Sequence, residues 1–450
     1  MKKYILLCIA AFTFMGANAN AITLYQDDKG QVFTTPADGR VALGEYVNTK
    51  SQIKESLPKS QSKITLIKED SPKFVLGKET HINMKFVSED ASDMWFKAGV
   101  RIQGSMESKN TDYKDGRADT TVSDAYLRRV RLEVAAGFGE HSSFVMDMRN
   151  DRANYDLSND ERGFNVGDAY VQIKKPFDSS LINFKLYRAK IDISRTETVK
   201  SARVIAYDRP YVADYAAQYI SSNRRGANVQ MYGDWNKKIH YQIAVGAATN
   251  PNDVKDATGA KPDVDIDDQS LFFGGKIKLS PFDGWEEKTV TETYMGQGKH
   301  FTFGASYWSV PTLKGSTANA AVDLSRSLIN AEISGHYYGF TAQAEYFKFD
   351  DMVEDYGVSS LNLGTSSGWY VTSEYVFRDF HFIAPFVRYE SWDKFEDKDG
   401  YDSTSMIAGV NWYLRGNTTK VGAYFQKDSL GVNTGDKDVN ILRITSQWFF

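Results

Sequence analysis

From Met94 to the end of the chain one texture repeats. Segments of roughly ten residues, the length that crosses a bilayer as a tilted strand, alternate apolar and polar side chains, and Gly, Asn, Asp, Ser or Pro part them. Side chains on a strand point to opposite faces in turn. Each segment therefore has one greasy face and one wet face. In the first, Phe96, Ala98, Val100 and Ile102 share a face, and Lys97, Arg101, Gln103 and Ser105 share the other. In the second, Val130, Leu132 and Val134 oppose Arg129, Arg131 and Glu133. A wall that is wetted inside and faces hydrocarbon outside needs this pattern and no long apolar run. The fold class it predicts is all-β: a transmembrane antiparallel β-barrel preceded by an N-terminal periplasmic extension.

The count comes from the same pattern. Strands are predicted near 94–107, 124–136, 142–149, 168–174, 181–190, 228–235, 239–247, 271–279, 300–308, 329–337, 340–348, 369–376, 381–390, 405–414, 419–426 and 441–450. That makes sixteen, and single-chain bacterial barrels have even strand numbers. The connections agree, with long external loops alternating with short turns. The stretch 281–299 is the exception, long where a short turn is due. Arg188 falls on the apolar parity of its strand, as a rim or bulge residue would. Trp235, Trp308, Tyr337, Tyr338, Phe377 and Trp412 sit at strand ends and suit interfacial girdles. The last strand ends on Phe450, with Trp448, Ser446, Ile444 and Leu442 at every second position before it. A terminal aromatic of this kind looks like the tag read by barrel-assembly machinery.

The chain opens differently. Lys2 and Lys3 precede an apolar run at 5–14, and Ala17-Asn18-Ala19 and Ala19-Asn20-Ala21 fit a cleavage site, so 1–21 is expected to be a signal peptide. Its removal takes away Cys8, the only cysteine, and with it any disulfide or thiolate metal site. It leaves 52 basic and 58 acidic residues, a net charge of −6 that does not favour nucleic acid. Residues 22–93 form the extension, with a short hairpin turning at Asp28-Lys29-Gly30 and a Lys, Ser and Gln-rich stretch at 50–71. A periplasmic arm, a small plug and a disordered leader all fit it. The barrel is assigned to 94–450.

A barrel interior that faces water is expected to be polar. The cationic pore-lining set is Lys97, Arg101, Arg129, Arg131, Arg149, Lys185, Arg388 and Arg443. Acidic residues share this face, so wall ion pairs compete with an anion path. The third external connection, 191–227, is the longest. It holds six basic and four acidic residues, net +2. If it folds inward, Arg195, Lys200, Arg203 and Arg209 become constriction residues; otherwise it is a plain external loop. The acidic stretch 263–268 lacks the Gly and terminal Glu of a calcium loop. The six histidines are scattered, without a paired motif for metal or catalysis. No cofactor, no metal and no enzyme activity is expected.

Gly99-Val100-Arg101-Ile102-Gln103, Tyr126-Leu127-Arg128-Arg129-Val130-Arg131-Leu132, Asp208-Arg209-Pro210, Pro385-Phe386-Val387-Arg388-Tyr389 and Gly409-Val410-Asn411-Trp412-Tyr413-Leu414 occur in that order. With Arg443 and the terminal Gln447 to Phe450, the chain resembles the phosphate-selective porin O/P family. The resemblance implies a homotrimer in the outer membrane of a Gram-negative bacterium, an inward third loop and an arginine-lined anion path. Its partners would be membrane lipid, small hydrophilic or anionic solutes and the assembly machinery. Where the family has Gly-x-Phe-x-x-Pro leaving strand five, this chain reads Leu186-Tyr187-Arg188-Ala189-Lys190-Ile191. A general or cation-preferring porin and a non-conducting anchor or adhesin are the competing readings.

Overall fold

In the computed structural model, the alternating segments pair edge to edge and close on themselves. The structure describes residues 22–26, 31–33, 38, 40–46, 63–67, 82–87, 93–151, 163–256, 263–287, 290–318, 320–356, 361–431 and 436–449. The expected signal peptide, the Asp28-Lys29-Gly30 turn and Phe450 lie outside these residues.

The chain divides into two units, 1–62 and 63–450. In the first, β1 (Ile22–Gln26) pairs with β2 (Val32–Phe33) and β3 (Val41–Tyr46) as a small antiparallel sheet. The second begins with a hairpin of β4 (Lys63–Ile67) and β5 (Ile82–Val87), ahead of the texture change at Met94.

The barrel strands then follow. They are β6 (Met94–Tyr113), β7 (Thr120–Phe138), β8 (Ser142–Asp151), β9 (Asn165–Lys174), β10 (Asn183–Arg188), β11 (Asn228–Trp235) and β12 (Ile239–Gly246). After the short β13 (Asp265–Gln269) come β14 (Phe272–Leu279) and β15 (Lys299–Val310). After β16 (Leu313–Ser316) and β17 (Ala321–Asp323) come β18 (Arg326–Tyr337), β19 (Phe340–Asp355), β20 (Asn362–Tyr375), β21 (Ile383–Asp393), β22 (Asp402–Asn417), β23 (Thr419–Leu430) and β24 (Lys437–Phe449). Sixteen of these form the wall, each antiparallel to its neighbours, and all sixteen fall where the alternation placed them. β13, β16 and β17 make a separate three-stranded sheet within the long connections, where the sequence had suggested only loops. The acidic stretch 263–268 runs into that sheet.

Closure joins β24 to β6, from Phe449 opposite Arg101 to Lys437 opposite Tyr113. β5 takes up the β6 edge just beyond, with Ile82 opposite Ala98. A closed wall satisfies its backbone polar groups between strands and leaves no edge to hydrocarbon.

Burial is inverted relative to a soluble protein. Along β24, Arg443 and Gln447 are buried, whereas Leu442 is 61% and Ile444 53% exposed. The exposed apolar side chains form the outer, lipid-facing surface. Trp235, Tyr337, Tyr338, Phe377 and Trp412 are exposed on it, as girdle residues should be. Trp308 is not. It lies on the inward parity of β15, in line with Thr302 and Ser306, and is fully buried against Phe272.

Trp308 belongs to a second departure from expectation: part of the interior is an apolar core. Val212, Ala213, Ala216, Tyr219 and Ile220 pack there with Phe347, Phe349, Tyr370 and Trp392. The physical reason is the inward loop. It brings a helix with an apolar face into the barrel, and that face is covered by aromatic side chains on the wet parity of the far wall.

Candidate functional site

The connection 191–227 lies inside the barrel. It carries two helices, α1 (Arg195–Thr198) and α2 (Tyr211–Tyr219). Ser194 caps α1, its Oγ accepting from Glu197 N at 3.2 Å. Pro210 precedes α2, where its missing N–H costs nothing and its fixed φ suits helix entry. Glu390 on β21 accepts from the Val212 N–H at 3.0 Å and so meets an orphan donor of the first turn. Other wall residues hold the loop along its length. Arg101 donates to Ser201 Oγ at 2.8 Å, Lys420 to the Val204 carbonyl at 2.8 Å, and Asn411 to the Ile205 carbonyl at 3.0 Å.

Beside the loop is a cavity of about 920 Å³, lined by ten arginines and two lysines against four carboxylates. Two knots of charge organise it. In the first, Asp208 of the loop receives Arg443 at 2.8 Å, Arg128 at 3.2 Å and Arg129 at 3.5 Å, while Arg388 donates to its carbonyl at 2.6 Å. Burial pushes the Asp208 carboxyl up, but these guanidinium groups together hold it well below the usual range. In the second, Glu197 receives Lys190 at 3.0 Å, Arg209 at 3.3 Å and Arg224 at 3.4 Å. Its carboxyl is held low against burial in the same way. Glu107 also holds Arg443 at 2.6 Å and Asp214 holds Arg224 at 2.7 Å, so each knot sets three cations against two carboxylates and remains net positive. Among the described residues, the Arg149 side chain has neither an ion pair nor a hydrogen bond, although it lines the cavity.

Of the pore-lining residues expected from sequence, Arg129, Arg131, Arg149, Arg388 and Arg443 face this cavity. Arg131 also binds Asp151 at 3.1 Å. Arg101 does not line it; it is buried, paired with Glu133 and tied to Ser201. Lys97 is exposed, its ammonium 5.4 Å from the Trp95 ring. Lys185 stands between the Tyr170 and Tyr232 rings, in a separate cavity of about 310 Å³ near the turn at 236–238. Lys190 lines both cavities.

Of the four expected constriction residues, only Arg209 reaches the large cavity. Arg195 points away and binds Glu287 at 2.7 Å. Lys200 binds Glu133 at 2.9 Å, and Arg203 is half-buried, its carbonyl accepting from Glu292 N at 3.2 Å.

Sequence parity missed two cavity arginines. A β-bulge lies between Gln103 and Gly104, which face Arg129 and Leu127, leaving Arg128 without an opposite residue. A bulge re-aims side chains, and here both Arg128 and Arg129 reach Asp208. At Tyr187, φ is +83°, and beyond it Arg188 turns into the cavity, with Nε donating to the Gly167 carbonyl at 2.9 Å. The parity conflict at Arg188 was visible in the sequence. Nothing local marked the bulge at Arg128.

A closed sixteen-stranded wall, apolar outside and holding an internal loop beside an arginine-lined cavity, defines a diffusion channel of the outer membrane of Gram-negative bacteria. The chain belongs to the phosphate-selective porin O and P family, whose model matches residues 96–450. A curated relative, an uncharacterized protein of Aquifex aeolicus (strain VF5), is 24% identical over 420 residues, covering 86% of this chain and 94% of the relative. Among solved structures, the outer membrane channel DcaP of Acinetobacter baumannii is similar at a TM-score of 0.56 and 9% identity, over 81% of this chain and 99% of that one. The anion-selective porin from Comamonas acidovorans is similar at 0.50 and 9%, over 79% and 100%. At these identities the likeness concerns the fold alone.

Proposed function

We propose that this porin passes small hydrophilic solutes with a preference for anions, phosphate-like oxyanions among them, and that it works as a homotrimer. The observation that carries this reading is the cation excess around the large cavity, with Arg149 unpartnered among the described residues. Fixed charge in a narrow, low-dielectric passage sorts ions by sign. Guanidinium forks match the oxygens of carboxylate and phosphate better than they match spherical ions. The family and the similar fold of the anion-selective porin from Comamonas acidovorans support the same direction.

Reversal potential across a salt gradient tests it. The wild type should favour chloride over potassium, and added phosphate should reduce the chloride current. Arg149→Ala should lower the anion preference without loss of folding, because it breaks no bond among the described residues. Cation preference in the wild type would overturn the reading.

A further inference from the structure

The connection between β14 and β15 is long where the loop alternation calls for a short turn, and it does not stay outside the barrel. Thr291, Glu292, Thr293, Tyr294 and Met295 are all buried, none more than 4% exposed. They dock beneath the inward loop. Glu292 N donates to the Arg203 carbonyl at 3.2 Å, and its carboxylate accepts from Thr196 Oγ1 and from Ile205 N, the latter at 2.8 Å. Arg195 reaches down to the Thr291 carbonyl at 2.7 Å and the Tyr294 hydroxyl at 3.0 Å. The Thr293 hydroxyl donates to Glu374 on the wall at 2.5 Å.

The segment is clasped at Tyr294. Its ring centroid lies 4.2 Å from that of His336 and 4.4 Å from that of His300. The two histidines are direct cross-strand partners on β15 and β18, with ring centroids 5.6 Å apart. His336 Nε2 meets the Gln297 carbonyl, and His300 Nε2 lies 3.2 Å from Ser334 Oγ. Both Nδ1 atoms are buried without a hydrogen-bond partner among the described residues.

We infer that the described residues of this connection, 281–287 and 290–299, form a strap that props the inward loop from the short-turn side, and that charging the His300–His336 pair releases the strap and widens the passage. A neutral imidazole tolerates a bare, buried Nδ1. An imidazolium places an N–H there with no acceptor, which is the costly way to bury a donor. Charging both rings adds like-charge repulsion across one strand pair. The groups facing the pair do not compensate. Glu287 and Tyr294 come from the strap, Arg195 from the inward loop, and Lys278 on β14 lines the lower cavity with Glu287. Glu287 is already engaged by Arg195. Burial pushes its carboxyl up, yet Arg195 brings it down to about 2, so it stays charged across the imidazole range and cannot itself cause a step there. The inference rests on the chain being a channel and not on its ion preference.

The test is single-channel conductance of the full-length protein in planar bilayers. Wild-type conductance should rise roughly twofold between about pH 7.5 and about pH 3, a window that runs below ordinary imidazole titration because the buried, bare Nδ1 atoms disfavour the charged rings. The double variant His300→Gln with His336→Gln should lose that step and keep its neutral-pH reversal potential. A flat wild-type response, or a step retained in the double variant, would overturn the inference. If the double variant does not insert, His336→Gln alone answers the question. It keeps an amide donor for the Gln297 carbonyl but leaves a single imidazole, so most of the step should vanish; full retention counts against the inference.

Discussion

Arg128 shows how one extra residue in a strand changes what a passage is made of. Strict alternation sends it to the lipid, where a guanidinium at mid-depth would cost about 2–4 kcal/mol. The bulge opposite Gln103 and Gly104 turns it inward to Asp208 instead. Arg128→Ala should therefore lower the chloride-over-potassium permeability ratio, as measured by reversal potential. A side chain facing lipid would leave that ratio unchanged. The same scale separates arginines by what they hold. Arg443 is bound to Glu107 at 2.6 Å, to Asp208 and to the Tyr424 hydroxyl, so its loss disturbs folding and selectivity together. Arg149 breaks no such bond and is the cleaner probe.

At the scale of elements, the inward loop is held from two sides: wall strands grip its length, and the strap between β14 and β15 meets it from below. The pair Arg195–Glu287 joins loop to strap with both side chains almost fully buried. Removing one partner of such a pair leaves an uncompensated buried charge, at a cost of about 3–5 kcal/mol. Arg195→Ala should therefore lower the temperature at which the folded band converts to the unfolded one in denaturing electrophoresis. Arg195→Met combined with Glu287→Gln should recover much of the loss. The sign for acid is also defined. The folded-state pKa of Glu287 is depressed, so its contribution is full above its ordinary value of about 4.3 and is lost as the pH falls towards about 2. The loop–strap joint should thus outlast the histidine clasp as the pH falls.

For the whole molecule, the proposed homotrimer predicts that chemical cross-linking in mild detergent gives a ladder ending at three chains. A ladder ending at one chain would remove that part of the proposal. The wall itself was legible from sequence because its cause is local. Each strand needs only an apolar face for lipid and a polar face for the interior, and period two records both. All sixteen strands were found this way, although several ends were read short and β10, read as 181–190, was read long. β6 continues to Tyr113 and β19 to Asp355, well into polar sequence where the apolar alternation has stopped. The interior was less legible. Trp308 was assigned to the girdle by composition and position, but its parity faces the helix that the inward loop carries. Arg195 and Lys200 had the charge of constriction residues, and carboxylates elsewhere in the fold, Glu287 and Glu133, claimed them.

The sequence by itself determined that this chain crosses a membrane as a barrel, how many times it crosses and which parity is wet, because those properties depend on neighbours two residues apart. Only the tertiary structure decided which cations face open space. That choice depends on partners such as Asp208 and Arg443, 235 positions apart, and on a bulge and a positive φ that shift register without altering composition. Charge is inherited from the amino acid, but availability of charge is set by whatever the closed wall and its inward segments bring beside it.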